Sequence, residues 1–120
     1  MTGGVLAGIA LLGAAGAATR ASVQGLAATR ERIPFFWGTL TVNLSGALAI
    51  GLLHGAGVHG TALKLVGAGF LGSFTTFSGW MVETDRLNRE SRRLEVGYLL
   101  GALAAGLVAV WLGNLVGAQL

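Results

Sequence analysis

The sequence predicts an all-α membrane protein with four transmembrane helices and a break in the third, and three observations carry that prediction. Of its 120 residues, 53% are hydrophobic and only 11% are charged, where soluble domains carry about 25% charged residues. The charges lie outside four apolar windows, 1–19, 34–54, 65–82 and 96–120. Each window is close to the roughly 17–25 residues that a spanning helix requires. The third window also holds a polar, helix-hostile run, Gly72-Ser73-Phe74-Thr75-Thr76-Phe77-Ser78-Gly79. Inside hydrocarbon every backbone polar group must find a partner, so irregular backbone survives there only when buried in protein or lining a wet cavity.

The first window could pass for a signal peptide. It has no basic stretch before its apolar core, and its end, Ala17-Ala18-Thr19-Arg20, is as small-residue-rich as the rest. A retained helix is therefore expected. The second window reads Gly38-Thr39-Leu40-Thr41-Val42-Asn43-Leu44-Ser45-Gly46, with Thr39 and Asn43 four apart on one helix face. Threonine hydroxyls often bond back to their own helix, so Thr39 and Thr41 fit a structural role as well as a polar path. The Asn43 amide has two donor hydrogens and an acceptor that its own helix cannot satisfy; it is expected to face a partner helix or, the favoured reading, a polar path. In the fourth window Gly97, Gly101, Ala105, Ala109, Gly113 and Gly117 recur every four residues, a small-residue stripe suited to close helix packing. With the four windows assigned to spans, nothing remains for a soluble domain: residues 1–120 read as one transmembrane domain.

The loops are unequal in charge. Those after the first and third spans share one side of the membrane and hold Arg20, Arg30, Arg32, Arg86, Arg89, Arg92 and Arg93, against Lys64 alone between spans two and three. Basic loops stay cytoplasmic, so both termini are expected outside a plasma-membrane protein. The same topology explains the net charge of +3 without a nucleic-acid partner. Cysteine is absent, which excludes disulfides and thiolate metal sites.

No Asp, Glu, Lys or Arg falls deep within any window. Proton-coupled carriers need a titratable group at depth, and small four-helix multidrug transporters use a glutamate in their first helix, which is lacking here. Hydroxyls, amides and the positive edges of aromatic rings could instead solvate an anion. No nucleophile–base pair or metal-ligand cluster suggests an enzyme.

The run Gly69-Phe70-Leu71-Gly72-Ser73-Phe74-Thr75-Thr76-Phe77-Ser78, with Glu83 after it, resembles the signature of the Fluc/CrcB family of fluoride-specific ion channels. Residues 38–46 resemble that family's second-helix motif, 13–20 its first-helix ending, and Tyr98 with 106–113 its last span. The resemblance covers essentially the whole chain and implies passive export of fluoride, which lowers its cytoplasmic concentration and toxicity. It implies an antiparallel dual-pore dimer, with a structural, untransported Na+ held by the backbone carbonyls of Gly72 and Thr75. Carried over residue by residue, Asn43, Thr76, Phe77, Ser78, Trp80 and Tyr98 would form the ion pathway, and Arg20 its vestibule.

The chain departs from the family pattern at several places. Trp80 stands for the second pore phenylalanine and Gly79 for the threonine before it; Ser73 and Phe74 replace glycine and leucine. Ala102 and Gly106 interrupt the hydroxyl track that Tyr98 begins. A subunit that inserts both ways needs balanced loops, and these are not balanced. The favoured expectation is a heterodimer with an oppositely oriented related subunit, one pore being weak or silent; a homodimer is the alternative. A non-transporting membrane scaffold is the competing function, and a multidrug-type transporter a third.

Overall fold

The computed structural model describes residues 2–29 and 36–120, and all regular structure in them is helical. Helix α1 (Gly3–Ala28) starts at Thr2, whose side chain accepts a hydrogen bond from the Val5 N–H at 3.2 Å. It continues past the expected span end at residue 19, so Arg20 and Gln24 lie within the helix. Helix α2 (Trp37–Gly55) follows; the first part of its expected span, including Pro34, lies outside the described residues, as do Met1 of the first span and Arg30 and Arg32 of the first basic loop. A turn with Gly57 at φ 80° and Gly60 at φ 66°, conformations open to glycine with little strain, leads to α3 (Gly60–Leu63). The chain then runs as a π-helical stretch, Lys64–Leu71, into the short α4 (Gly72–Phe74). Thr75 and Thr76 are extended, at φ/ψ −84°/160° and −145°/123°. Beyond them come α5 (Phe77–Asn88) and α6 (Arg92–Gly117).

Among the described residues, three helical runs are long and apolar enough to cross a membrane: Gly3–Ala28, Gly60–Asn88 and Arg92–Gly117, of 26, 29 and 26 residues. Helix α2 has 19 residues. The chain is 47 Å along its longest axis, enough to traverse a bilayer of about 40–45 Å including headgroups. Its exterior carries Leu11, Leu107 and Trp111 largely exposed, the pattern of a helix bundle solvated by lipid rather than water.

Glycines set how closely the helices approach. A Cβ on Gly51 or Gly55 of α2 would run into the carbonyls of Val110 or Asn114 on α6. A Cβ on Gly113 or Gly117 of α6 would run into the carbonyls of Leu48 or Leu52 on α2. The contact is thus reciprocal, each helix placing two glycines on the other's backbone, which is how small residues drive membrane helices together. Of the four glycines in the expected α6 stripe only two are used in this way, because Gly97 and Gly101 face open space. Helix α1 docks on the π-helical stretch by the same device, since a Cβ on Gly16 would strike the Phe70 carbonyl and the Ser73 hydroxyl.

Candidate functional site

Asn43 on α2 meets the two extended residues. Its Nδ2 donates to the Thr76 carbonyl at 2.9 Å, and its Oδ1 accepts from the Thr76 N–H at 2.8 Å. One side-chain amide therefore satisfies both backbone groups of a residue that has left the helix. The Thr76 hydroxyl caps the next helix by accepting from the Gly79 N–H at 3.0 Å, the ordinary N-cap arrangement. A Cβ at Gly79 would lie 3.0 Å from Thr76 Cγ2, so glycine here lets the cap close tightly.

These two bonds leave carbonyls behind. In a continuous helix each N–H donates to the carbonyl four residues earlier, so the Thr76 and Gly79 N–H groups would have served Gly72 and Thr75. Both donors are turned to side chains instead. The Arg20 guanidinium lies 3.5 Å from the Thr75 carbonyl. Gly72, Thr75 and Asn43 border one shallow depression between α2 and the interrupted helix. Among the described residues, no group of three or more His, Cys, Asp and Glu could hold a metal.

On its other side Asn43 borders a cavity of about 230 Å³ between α2, α5 and α6. Trp80 and Tyr98 line it with Asn43, and so do Ala102 and Gly106. The residues that interrupt the hydroxyl track therefore share a wall with those that keep polar atoms. Leu44, Leu103 and Leu107 make the rest largely apolar. Trp80 Nε1 is buried and has no hydrogen-bond partner among the described residues.

Phe77 and Ser78 lie elsewhere. Phe77 is 69% exposed on the outside of the chain, with its ring edge-on to Trp80 at 5.8 Å and 85°. Ser78 is also exposed and sits 3.3 Å from the Thr76 hydroxyl. Of the six expected pathway residues, the structure gathers Asn43, Trp80 and Tyr98 at one cavity and binds Thr76 to Asn43; Phe77 and Ser78 face outward.

Glu83 joins the site although it falls one residue beyond the expected third span. Helix α5 carries it inward, where its Oε1 accepts from the Thr39 hydroxyl at 2.6 Å and its Oε2 from the Tyr98 hydroxyl at 2.9 Å. Gln24 Nε2 donates to Thr39 Oγ1 at 3.0 Å. A polar chain thus links α1, α2, α5 and α6, with Thr39 only 1% exposed at its centre. The expectation of no acid deep within a span stopped at residue 82, where hydropathy falls. The signal that could have extended it was the glutamate following the Thr75–Ser78 run. Thr39 takes the structural role left open above, whereas Thr41 is exposed.

Ser73 is tied into the fold. Its hydroxyl, with one hydrogen to give, lies 2.6 Å from the Gly13 carbonyl on α1 and 3.1 Å from those of Gly69 and Phe70. Phe74 stacks on Phe70 at 5.8 Å.

The family model of CrcB-like protein, Camphor Resistance (CrcB), matches residues 7–114. Among curated relatives, a fluoride-specific ion channel FluC 2 of Mycolicibacterium paratuberculosis is 44% identical over 110 residues, 92% of this chain and 85% of that one. A FluC 2 of Mycobacterium tuberculosis is 37% identical over 96% of this chain and 95% of the relative. A fluoride-specific ion channel FluC 1 of Rubrobacter xylanophilus is 44% identical over 87% of this chain and 86% of its own.

Proposed function

The chain belongs to the CrcB-like family, and from that premise we propose that it is a fluoride-specific ion channel, a multi-pass membrane protein that passively exports fluoride and lowers its cytoplasmic concentration. It is a channel subunit and not an enzyme. The observation that carries the reading is the near-full-length match to relatives named fluoride-specific ion channels, within which Asn43, Trp80 and Tyr98 share one cavity wall. An anion crossing there needs donors rather than charge. The second Nδ2 hydrogen of Asn43 and the indole N–H of Trp80 are of that kind, and outside the cavity the exposed Phe77 ring offers a positive edge. Thr76 and Ser78 add hydroxyls beside the interruption, and Arg20 adds positive potential that concentrates anions.

The carbonyls of Gly72 and Thr75 fit Na+ as hard oxygen donors released from helical bonding, beside the Arg20 guanidinium that already addresses Thr75. Bound there, the ion would supply a fixed positive charge that holds carbonyls together. Two carbonyls from one chain leave such an ion short of ligands, and a second, oppositely oriented subunit would complete it. That subunit is a related chain in the favoured reading. The support is the bias of basic residues: Arg86, Arg89, Arg92 and Arg93 surround the α5–α6 connection, whereas Lys64 stands at the other end of the interrupted helix. The same bias supports a subunit with both termini outside the plasma membrane. The numbering of relatives as FluC 1 and FluC 2 is in keeping with paired genes.

Passive fluoride efflux from liposomes, with and without a coexpressed related subunit, tests the reading. Efflux that is selective over chloride is expected. No flux under either condition would leave the scaffold reading standing, and proton-coupled export of an organic cation would favour the transporter. Robust rescue of a fluoride-sensitive cell by this chain alone would rule out an obligate heterodimer.

A further inference from the structure

We propose that Gln24 is a positioning residue for the channel, holding the Glu83 carboxylate off the anion path by polarising the Thr39 hydroxyl that donates to it; the inference rests on the channel reading. An ionised carboxylate only accepts hydrogen bonds, and a threonine hydroxyl has one hydrogen. With Thr39 Oγ1 2.6 Å from Glu83 Oε1, that hydrogen is committed to Glu83. A second partner of the Thr39 hydroxyl must then be a donor, which sets the Gln24 amide with its NH2 toward it, as seen at 3.0 Å. A hydroxyl that accepts from an amide is polarised and donates more strongly. The second oxygen of Glu83 is filled by Tyr98 at 2.9 Å.

The fold is shaped for this contact. A Cβ on Gly38 would come within 3.2 Å of Gln24 Cα and 3.5 Å of its Cγ, and one on Gly79 within 3.5 Å of Thr39 Oγ1. Gly38 keeps the Gln24 side of the seam narrow, and Gly79 leaves ordinary contact distance beside Thr39. Tyr98 lines the α2–α5–α6 cavity, and Glu83 is not among the residues that do. The relay therefore pins a negative charge behind the tyrosine, where it does not project into a route taken by another anion. Released, the carboxylate would be free to swing toward the route and repel its cargo.

The test uses Gln24→Met, which keeps length and removes the donor, Thr39→Val, and the double variant, in the full-length protein with whatever subunit it requires. Gln24→Met is expected to slow fluoride efflux at least fivefold and to shift the infrared carboxylate stretch of Glu83, assigned by difference against Glu83→Gln. In the Thr39→Val background the same change should add no further loss, since Gln24 acts through that hydroxyl. Wild-type efflux and an unshifted carboxylate band in Gln24→Met would overturn the proposal, as would losses that simply multiply in the double variant. A shifted band in Gln24→Met, with a wild-type protein that itself conducts no fluoride, would uphold the relay while refuting the channel reading.

Discussion

The two halves of α2 are joined to the rest of the molecule in opposite ways. Toward its C-terminus Gly51 and Gly55 lie on α6 backbone, and Gly113 and Gly117 return the contact. Toward its N-terminus Thr39 and Asn43 reach out with hydrogen bonds, to Glu83 and Thr76. The glycine half works mainly by shape, with one polar contact between His54 Nδ1 and Asn114 Oδ1 at 2.9 Å, and an added Cβ collides with a carbonyl that cannot move aside. The polar half offers directed donors and acceptors, and its failure mode is an unsatisfied group rather than a clash. Within a bilayer the first arrangement fixes where helices stand, and the second determines what chemistry they present.

Substitutions can break that contrast at graded strength. The largest effect is expected from Gly51→Val or Gly113→Val, because overpacking against backbone costs about 1–3 kcal/mol or more. Loss of the monodisperse peak in detergent chromatography would show it; unchanged behaviour would mean the helices are not in glycine-mediated contact. Thr39→Val comes next. It strands Glu83 and Gln24 at about 1–3 kcal/mol for the unsatisfied groups, with thermal stability in detergent falling and fluoride efflux falling at least tenfold. Asn43→Ala removes both bonds to Thr76 and should cut efflux while the protein still assembles, at a cost of about 1–2 kcal/mol. Normal flux in that variant would remove Asn43 from the conducting path. Phe77→Ile should leave stability within about 0.5 kcal/mol, as for other exposed positions, yet still reduce efflux. If its flux matches the parent, the exposed ring has no place on the path.

Much of this organisation was legible in the residues. The apolar windows, the run from Gly72 to Gly79 and the need of Asn43 for a partner all follow from composition and hydrogen-bonding capacity, and Asn43 has that partner in Thr76. What stayed hidden depends on distance between segments. Glu83 looked like the first residue of a charged loop, because hydropathy registers the charge and not the two hydroxyls, 44 and 15 positions away in sequence, that accommodate it. Gln24 carried no signal at all, for its bond to Thr39 crosses a connection between two helices. The α6 stripe looked uniform in sequence, and only the partner helix decides that Gly113 and Gly117 are covered while Gly97 and Gly101 are bare.

The pairing of Asn43 with Thr76 places a narrow demand on position 43. Its two bonds repeat a single rung of an antiparallel sheet, with a side chain playing the part of the neighbouring strand. Aspartate can accept but not donate, and serine or threonine is too short to span both backbone groups at once. Glutamine has the right atoms one carbon too far out. Few residues in a membrane helix are so tightly specified by the peptide group opposite them, and position 43 should therefore tolerate less variation than the glycines around it.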